Sequence, residues 1–258
     1  MLTDQSPVAR VGLDGVALKP LEHDLSLVTD IEADLLNIDY EGRNPFPDMA
    51  TLSELAADHR LTVTTPVRAD GFDPLGDDSL LPLPDGVERV LVAGNPAYLT
   101  DEERERAVAP RLGAAREAAP DAWVGTEGVE RVAMAAGGTQ YELLGRNTGR
   151  EMQALRSAGF EGGVALYAPI VLSDDEDAIL DAVGGYASRR GPVRRALPDD
   201  AATDAEATGR AREVLSQAVR DFALVGSVAE VGDRIAGLNE AGVDTIVGYP
   251  ARGLDEFR

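Results

Sequence analysis

The chain has 258 residues, and its 24 Lys+Arg against 46 Asp+Glu give a net charge of −22. The absence of cysteine excludes disulfides, thiolate nucleophiles and iron–sulfur clusters, and two histidines are too few for a histidine-rich metal site. Such an acidic surface repels phosphate backbones, so we expect no nucleic-acid partner. No run approaches ~18 consecutive apolar residues and no basic and apolar leader opens the chain. We therefore expect no membrane partner, no secretory signal and a cytoplasmic location.

Short apolar runs alternate with amphipathic stretches along the chain, which predicts alternating strands and helices. The predicted strands are residues 10–18, 35–40, 61–67, 89–93, 123–126, 140–144, 164–168 and 243–248. The predicted helices are residues 51–59, 101–119, 129–136, 147–158, 173–188, 204–223 and 228–241. Residues 70–86 form a Gly/Pro/Asp-rich loop, and residues 189–202 form a polar excursion.

Eight short strands, each followed by a helix or a segment of helical length, predict an α/β fold of the (β/α)8 TIM barrel type. The length agrees, because such barrels run to ~250 residues. We expect one domain over residues 1–258, with a helical excursion after the seventh strand. An open doubly wound sheet is the alternative, but residues 13–17 lack the G-x-G-x-x-G turn that would support it.

Two segments of the last third resemble the luciferase-like flavin- and deazaflavin-dependent oxidoreductases, in particular the methylenetetrahydromethanopterin reductase-like branch. Residues 164–178 resemble that family's strand leading into v-v-s-d-d and a helix. Residues 222–250 resemble its G-[ST]-x-x-E-V-x-x-R-[IL]-x-x-L-x-x-A-G-V-D-x-[IV]-V-x-x-P pattern. In the second segment we expect a capped helix that packs on the barrel through Val231, Ile235 and Leu238. Both segments indicate the fold rather than the chemistry.

The resemblance implies a reduced deazaflavin coenzyme or FMN at the barrel mouth and hydride transfer to a small-molecule substrate. In the family, the coenzyme phosphate often lies on a glycine-containing turn at a helix N-terminus. Residues 135–139 resemble that turn if residues 132–136 form a strand, which makes Gly137, Gly138 and Thr139 candidate phosphate ligands. If residues 132–136 are helical, the two glycines simply end a helix, and both interpretations stay open.

Candidate catalytic residues follow from the rule that barrel active sites lie at the carboxyl ends of the strands. Asp39 and Glu41 are two apart on a strand and point the same way, so with Glu127 they could form an acid/base or Mg²⁺ cluster. Lys19 is the only lysine and is a candidate Schiff-base or general-base group. The alternative is that these are a solvated lysine and the chance carboxylate pairs of an acidic protein. We expect His23 and His59 not to be catalytic.

Candidate coenzyme-binding residues come from the same strand ends. Arg146 could anchor a phosphate, and Tyr167 and Tyr249 could stack on a ring. Thr65 and Asn95 complete this set. An arginine paired at the surface and tyrosines that line the rim are the alternatives without function.

No Ser/His/Asp set, P-loop or metal-binding histidine pair is present, which favours a cofactor that does the chemistry. Two rivals to the oxidoreductase remain: a coenzyme-free barrel that acts in binding or regulation, and a lyase, isomerase or hydrolase that uses Lys19 or the carboxylates. A homodimer is left open. The acidic excess with a single lysine also predicts adaptation to a salt-rich cytoplasm.

Overall fold

The computed structural model describes residues 6–68, 81–95, 99, 101–105 and 107–257. Most of the predicted loop at residues 70–86 therefore lies outside the described residues, as do the first five residues of the chain. Within the described part, none of the helices combines the length and the apolar character needed to cross a bilayer.

The sheet consists of parallel strands that close into a ring. The strands are β1 (Gly15–Leu18), β2 (Leu35–Ile38), β3 (Arg60–Pro66), β4 (Glu88–Val92), β5 (Trp123–Gly125), β6 (Gln140–Leu143), β7 (Val164–Leu172), β8 (Leu224–Gly226) and β9 (Thr245–Pro250). Strands β1 to β6 follow one another around the ring, β7 pairs with β6, and β9 lies between β7 and β1. The ring of eight confirms the predicted TIM barrel, and its members are the eight predicted strands.

Helices connect the strands and surround the ring. They are α1 (Pro7–Val11), α2 (Met49–Asp58), α3 (Asp101–Arg104), α4 (Val108–Ala118), α5 (Glu130–Ala136), α6 (Thr148–Ser157), α7 (Glu176–Ser188), α8 (Gly191–Ala196), α9 (Gly209–Phe222) and α10 (Val228–Ala241). Two 3-10 helices, Leu25–Asp30 and Leu254–Phe257, complete the described elements. Helices α7, α8 and α9 form the helical excursion between β7 and β9, with their own apolar core.

Several elements differ from the prediction. The predicted first strand begins as helix α1, because the Ser6 side chain accepts the Ala9 N–H at its start and Gly12 ends it with φ 80°. The predicted helix over residues 101–119 is divided into α3 and α4. Strand β8 was not predicted, and it pairs with the far end of β7, beyond the residues of β7 that pair with β6.

Helix α10 confirms the packing expected from the C-terminal resemblance. Ser227 caps it in a capping box with Glu230, and Gly242 ends it in the left-handed region with φ 113°. Its buried residues Val231, Ile235 and Leu238 belong to the core between strands and helices. Burial of one such side chain contributes roughly 1.5–3 kcal/mol, so this seam stabilises the closure of the barrel.

The barrel interior has an aromatic side and a polar side. Side chains alternate along a strand, and the inward positions of β5, β6, β7 and β9 carry one aromatic residue each. We call these four the aromatic row: Trp123, Tyr141, Tyr167 and Tyr249. The inward positions of β2 and β3 carry the buried polar residues Asn37, Thr62 and Thr64 instead. The interior therefore offers flat apolar surface on one side and hydrogen-bonding groups on the other.

Candidate functional site

The carboxyl ends of the ring strands open into a cleft of about 990 Å³. The cleft brings together half of the site residues predicted from the sequence, namely Lys19, Asp39, Glu41, Asn95, Glu127 and Tyr167. The excursion adds Tyr186 from α7 and, directly after this helix, Arg189 and Arg190, so the cleft lies between the barrel mouth and the end of α7.

Asp39 follows β2 and lies in a hydrogen-bond network built by three strands. Its Oδ1 accepts from Nδ2 of Asn37 at 2.8 Å and from the hydroxyl of Thr64 at 3.3 Å. Its Oδ2 accepts from the hydroxyl of Tyr167 at 3.2 Å. The Thr62 hydroxyl donates to Oδ1 of Asn37 at 2.9 Å, and this fixes the amide so that Nδ2 faces Asp39.

The electrostatic setting of Asp39 suits proton transfer near neutral pH. Burial raises the pKa of Asp39 to about 6, although the charge of Lys19 and the hydrogen bonds from Tyr167 and Thr64 lower it. A carboxyl with such a pKa can give up or take up a proton at working pH, which is what general acid–base catalysis needs. Asp39 is therefore the strongest acid–base candidate in the cleft.

Lys19 lies at the end of β1 against Tyr249. Its Nζ is 4.0 Å from the centroid of that ring and 3.3 Å from Oε1 of Glu22. The backbone N–H of Lys19 donates to Nδ1 of His23 at 3.0 Å, and Nε2 of His23 lies 3.1 Å from the carbonyl oxygen of Pro250. Burial lowers the pKa of His23, so this ring is a neutral connector between the ends of β1 and β9. His59 likewise contacts the carbonyl of Ala33, at 2.8 Å.

The predicted carboxylates line one cleft but do not form a metal cluster. Among the described residues, no group of three or more His, Asp or Glu side chains could hold a metal ion. Glu41 accepts the backbone N–H of Leu21 at 2.8 Å, and Glu127 pairs with Arg190 at 3.5 Å. The geometry therefore favours an acid–base role for Asp39 alone over a shared Mg²⁺ site.

Apart from the glycine turn, three predicted coenzyme ligands lie outside the cleft lining, each for a different reason. Tyr249 lies behind Tyr167 and stacks on it, with centroids 6.2 Å apart and an interplanar angle of 10°. Thr65 faces the opposite side of β3 from Thr64 and donates to the carbonyl of Val63. Arg146 is 69% exposed and pairs with Asp221 at 3.5 Å.

The glycine turn predicted as a phosphate site lies at the other end of the barrel. The strand interpretation of residues 132–136 is wrong, because α5 covers them and Gly137 ends that helix with φ 73°. Gly138 and Thr139 then lead into the amino end of β6, away from the cleft. A helix C-terminus presents carbonyls, and Nε2 of Gln140 donates to those of Gly137 and Gly138. Such a turn attracts donors rather than phosphate.

The wall contributed by α7 was not predicted from the sequence. The guanidinium of Arg190 lies 4.5 Å from the Tyr186 ring centroid and 5.7 Å from that of Phe222, and it donates to the Tyr186 hydroxyl. Arg189 is exposed beside it, 6.0 Å from the same Tyr186 ring. The available signal was the Arg-Arg pair at the end of a helix that follows a barrel strand.

The cleft is rich in cations although the chain is strongly acidic. Among the described residues, five cationic side chains line it against three carboxylates, and the cations are Lys19, Arg43, Arg68, Arg189 and Arg190. In a chain of net charge −22, this local excess provides an attractive potential for an anionic group at the mouth. Arginine also matches the geometry of phosphate and carboxylate.

A single parallel barrel with its cleft at the carboxyl ends of the strands defines a TIM-barrel protein. The chain belongs to a family of unknown function (DUF7388), whose family model matches residues 8–257. No curated protein matches the sequence.

Solved structures that are similar to this chain include two F420-dependent enzymes. The coenzyme F420-dependent tetrahydromethanopterin reductase from Methanopyrus kandleri gives a TM-score of 0.60 at 16% identity, over 94% of each chain. An F420-dependent secondary alcohol dehydrogenase, in complex with an F420–acetone adduct, gives 0.59 at 12% identity, also over 94% of each chain. These likenesses confirm the predicted resemblance at the level of the fold.

Proposed function

We propose that the protein is an oxidoreductase that binds a reduced deazaflavin coenzyme in the cleft and transfers hydride to a small-molecule substrate, with FMN as the alternative coenzyme. The observation that carries this proposal is the setting of Asp39, a carboxyl group of pKa about 6. It lies between the aromatic row and the five cationic side chains of the cleft, which we call the cationic rim. The fold shared with two F420-dependent enzymes over 94% of the chain supports the choice of coenzyme.

The residues of the cleft fit such a coenzyme. A cavity of about 990 Å³ lies at the upper end of the range for ligand sites, which is about 300–1,000 Å³. Tyr141 and Tyr167 line its aromatic side, and Arg189 and Arg190 would hold the phosphate of the coenzyme. The buried Tyr141 hydroxyl has no hydrogen-bond partner among the described residues, so a polar atom is left for a ligand to satisfy.

In this assignment the coenzyme supplies the hydride and the protein supplies position and a proton. Asp39 holds a proton at the substrate atom that gains or loses negative charge. Tyr167, Thr64 and Asn37 orient its carboxyl group. The cationic rim draws the anionic part of the coenzyme to the mouth of the barrel.

Coenzyme titration tests the proposal. Coenzyme F420 and, separately, FMN are added to the purified protein while fluorescence quenching and the melting temperature are followed. Saturable binding at micromolar concentration is expected, with a rise in melting temperature by mass action. Absence of binding of both compounds up to roughly millimolar, where association is worth about 4 kcal/mol, contradicts it. Asp39→Asn is the matched variant, and it should keep coenzyme binding but lose turnover.

Lys19 supports a second candidate function, a lyase or isomerase that forms an imine. The only lysine of the chain lines the cleft, and its Nζ is held between Glu22 and Tyr249. Borohydride reduction in the presence of a small aldehyde, followed by peptide mass analysis, distinguishes the two functions. A trapped adduct at Lys19 without coenzyme binding favours the lyase. Inertness in both experiments favours a coenzyme-free binding protein.

A further inference from the structure

Tyr141 lines the cleft, and its buried hydroxyl has no hydrogen-bond partner among the described residues. Its side chain is 6% exposed and lines the cleft from β6. Its ring packs between Trp123 and Tyr167, with centroids at 5.8 and 6.1 Å, so the ring is held from both sides. No described group bonds its hydroxyl oxygen. An unpaired buried hydroxyl costs stability, and proteins keep such groups where a ligand or water satisfies them.

The other two tyrosines of the aromatic row differ from Tyr141 in this respect. The hydroxyl of Tyr167 donates to Asp39, and that of Tyr249 bonds the carboxylate of Glu22. Burial raises the pKa of Tyr141 well above its ordinary value, and the nearby charge of Asp39 adds to the effect. The group therefore stays protonated through neutral pH and acts as a donor. A group that accepts its hydrogen bond would have to come from outside the described residues.

We propose that the Tyr141 hydroxyl donates a hydrogen bond to the reacting oxygen of the substrate, which makes the substrate a small carbonyl compound and the product its alcohol. This inference rests on the proposed oxidoreductase function, with reduced deazaflavin as the hydride donor. The carbonyl carbon gains the hydride, and the carbonyl oxygen gains the proton that the carboxyl group of Asp39 releases. Tyr141 stabilises the negative charge that develops on that oxygen, and it keeps its own proton.

Stability of the coenzyme-free protein gives the first test. Tyr141→Phe removes a hydroxyl that has no partner in the described part of the chain, so its melting temperature should equal or exceed that of the wild type. Tyr249→Phe is the matched control, because the same change in the same row removes a hydroxyl bonded to Glu22 and should lower the melting temperature. A melting temperature of Tyr141→Phe that falls as far as that of Tyr249→Phe overturns the proposal.

Binding of a chromophoric ketone gives the second test. The probe is 4-(dimethylamino)benzalacetone, whose absorbance moves to longer wavelength when its carbonyl oxygen accepts a hydrogen bond. The wild type should bind it with a red shift, and Tyr141→Phe should bind at least 10-fold more weakly and without the shift. In turnover with coenzyme, the variant should lose about 100-fold in kcat, as when an oxyanion donor is removed, with a smaller change in KM.

The two tests separate this inference from the proposed function. No red shift in the wild type, or an equal shift in Tyr141→Phe, overturns the role of Tyr141 even if the protein binds the coenzyme. A red shift that depends on Tyr141 in a protein that binds neither F420 nor FMN supports the carbonyl site and contradicts the oxidoreductase. The outcome of the coenzyme titration does not depend on the result obtained with the ketone probe.

Discussion

The hydroxyl of Tyr167 on β7 donates a hydrogen bond to Oδ2 of Asp39 after β2, at 3.2 Å and across the barrel interior. The two strands are separated in the ring by β1 and β9, so closure of the barrel creates the contact. Tyr167 is buried and remains protonated, because burial raises its pKa well above the ordinary value. The bond therefore favours the charged form of Asp39 and counteracts part of the effect of burial.

Tyr167→Phe should raise the pKa of Asp39 further. A hydrogen bond to a charged group is worth about 1.5–3 kcal/mol, against about 0.5–1.5 kcal/mol for a neutral one, so the variant loses more when Asp39 is ionised. The variant should therefore fall further below the wild type in stability at pH 8 than at pH 4. Titration of the Asp39 carboxyl carbon by ¹³C NMR measures the shift directly. An unchanged or lowered pKa would contradict the assignment, and Tyr249→Phe, which does not contact Asp39, is the control.

Asp39→Asn should change how stability depends on pH. The pKa of Asp39 is about 6 in the folded protein against an ordinary 3.8. Between these values the folded state holds a proton that the unfolded chain has released, so stability falls as pH rises through about 4 to 6. Ionisation of Asp39 lowers the free energy of unfolding by about 3 kcal/mol at most, and the Asp39→Asn variant does not show this loss. Between pH 4 and pH 7, the free energy of unfolding of Asp39→Asn, measured with urea, should rise relative to that of the wild type by roughly 1–3 kcal/mol. Parallel curves for the two proteins would show that Asp39 ionises normally.

Much of the fold could be predicted from the sequence because the strands of a closed parallel barrel are buried and read as short apolar runs. Strand β8 was not predicted because its three residues, Leu224–Gly226, lie directly between two amphipathic segments, α9 and α10, and resemble a short link between helices. The contact between Asp39 and Tyr167 could not be predicted, since it joins positions 128 residues apart and depends on ring closure.

The missed site residues have physical reasons of their own. Tyr141 was not selected because the sequence does not indicate which face of β6 points inward. That its hydroxyl has no partner among the described residues becomes visible only in the packed barrel. Arg189 and Arg190 lie at the end of α7, and the excursion returns them to the mouth by packing α7 against α9. The glycine turn at residues 137–138 was misleading because a helix end and a phosphate loop both need glycine.

Ser227→Ala should destabilise the barrel through α10. The Ser227 side chain accepts the N–H of Glu230, and the Glu230 carboxylate accepts the N–H of Ser227 in return. Loss of such a cap costs about 1 kcal/mol, within a range of roughly 0.5–2. Ser157→Ala is the control, because this exposed serine at the end of α6 should change stability by less than about 0.5 kcal/mol. Equal urea midpoints for the two variants would be inconsistent with a working cap.

Arg189→Gln should weaken coenzyme binding without affecting the fold. Arg189 is exposed at the cleft and contacts Tyr186 only at 6.0 Å, so its loss leaves the packing of α7 intact. Removal of one charged hydrogen bond to a phosphate predicts about a 10-fold higher Kd for F420. Arg194→Gln on the exposed side of α8 is the matched control and should leave Kd unchanged. The same loss in both variants would indicate a general charge effect rather than a rim contact.

Stability should rise with salt because the chain carries a net charge of −22. Repulsion among the carboxylates opposes the compact state, and added KCl reduces its range from about 10 Å at 0.1 M to about 3 Å at 1 M. The melting temperature should therefore increase by several degrees between 0.1 and 2 M KCl, because each kcal/mol of stabilisation raises the melting temperature of a protein of this size by roughly 2–4 °C. Thermal unfolding at fixed pH across that series, with sorbitol of matched osmolality as the uncharged control, measures it. A flat or falling melting temperature in KCl would show that the acidic surface is not an adaptation to salt.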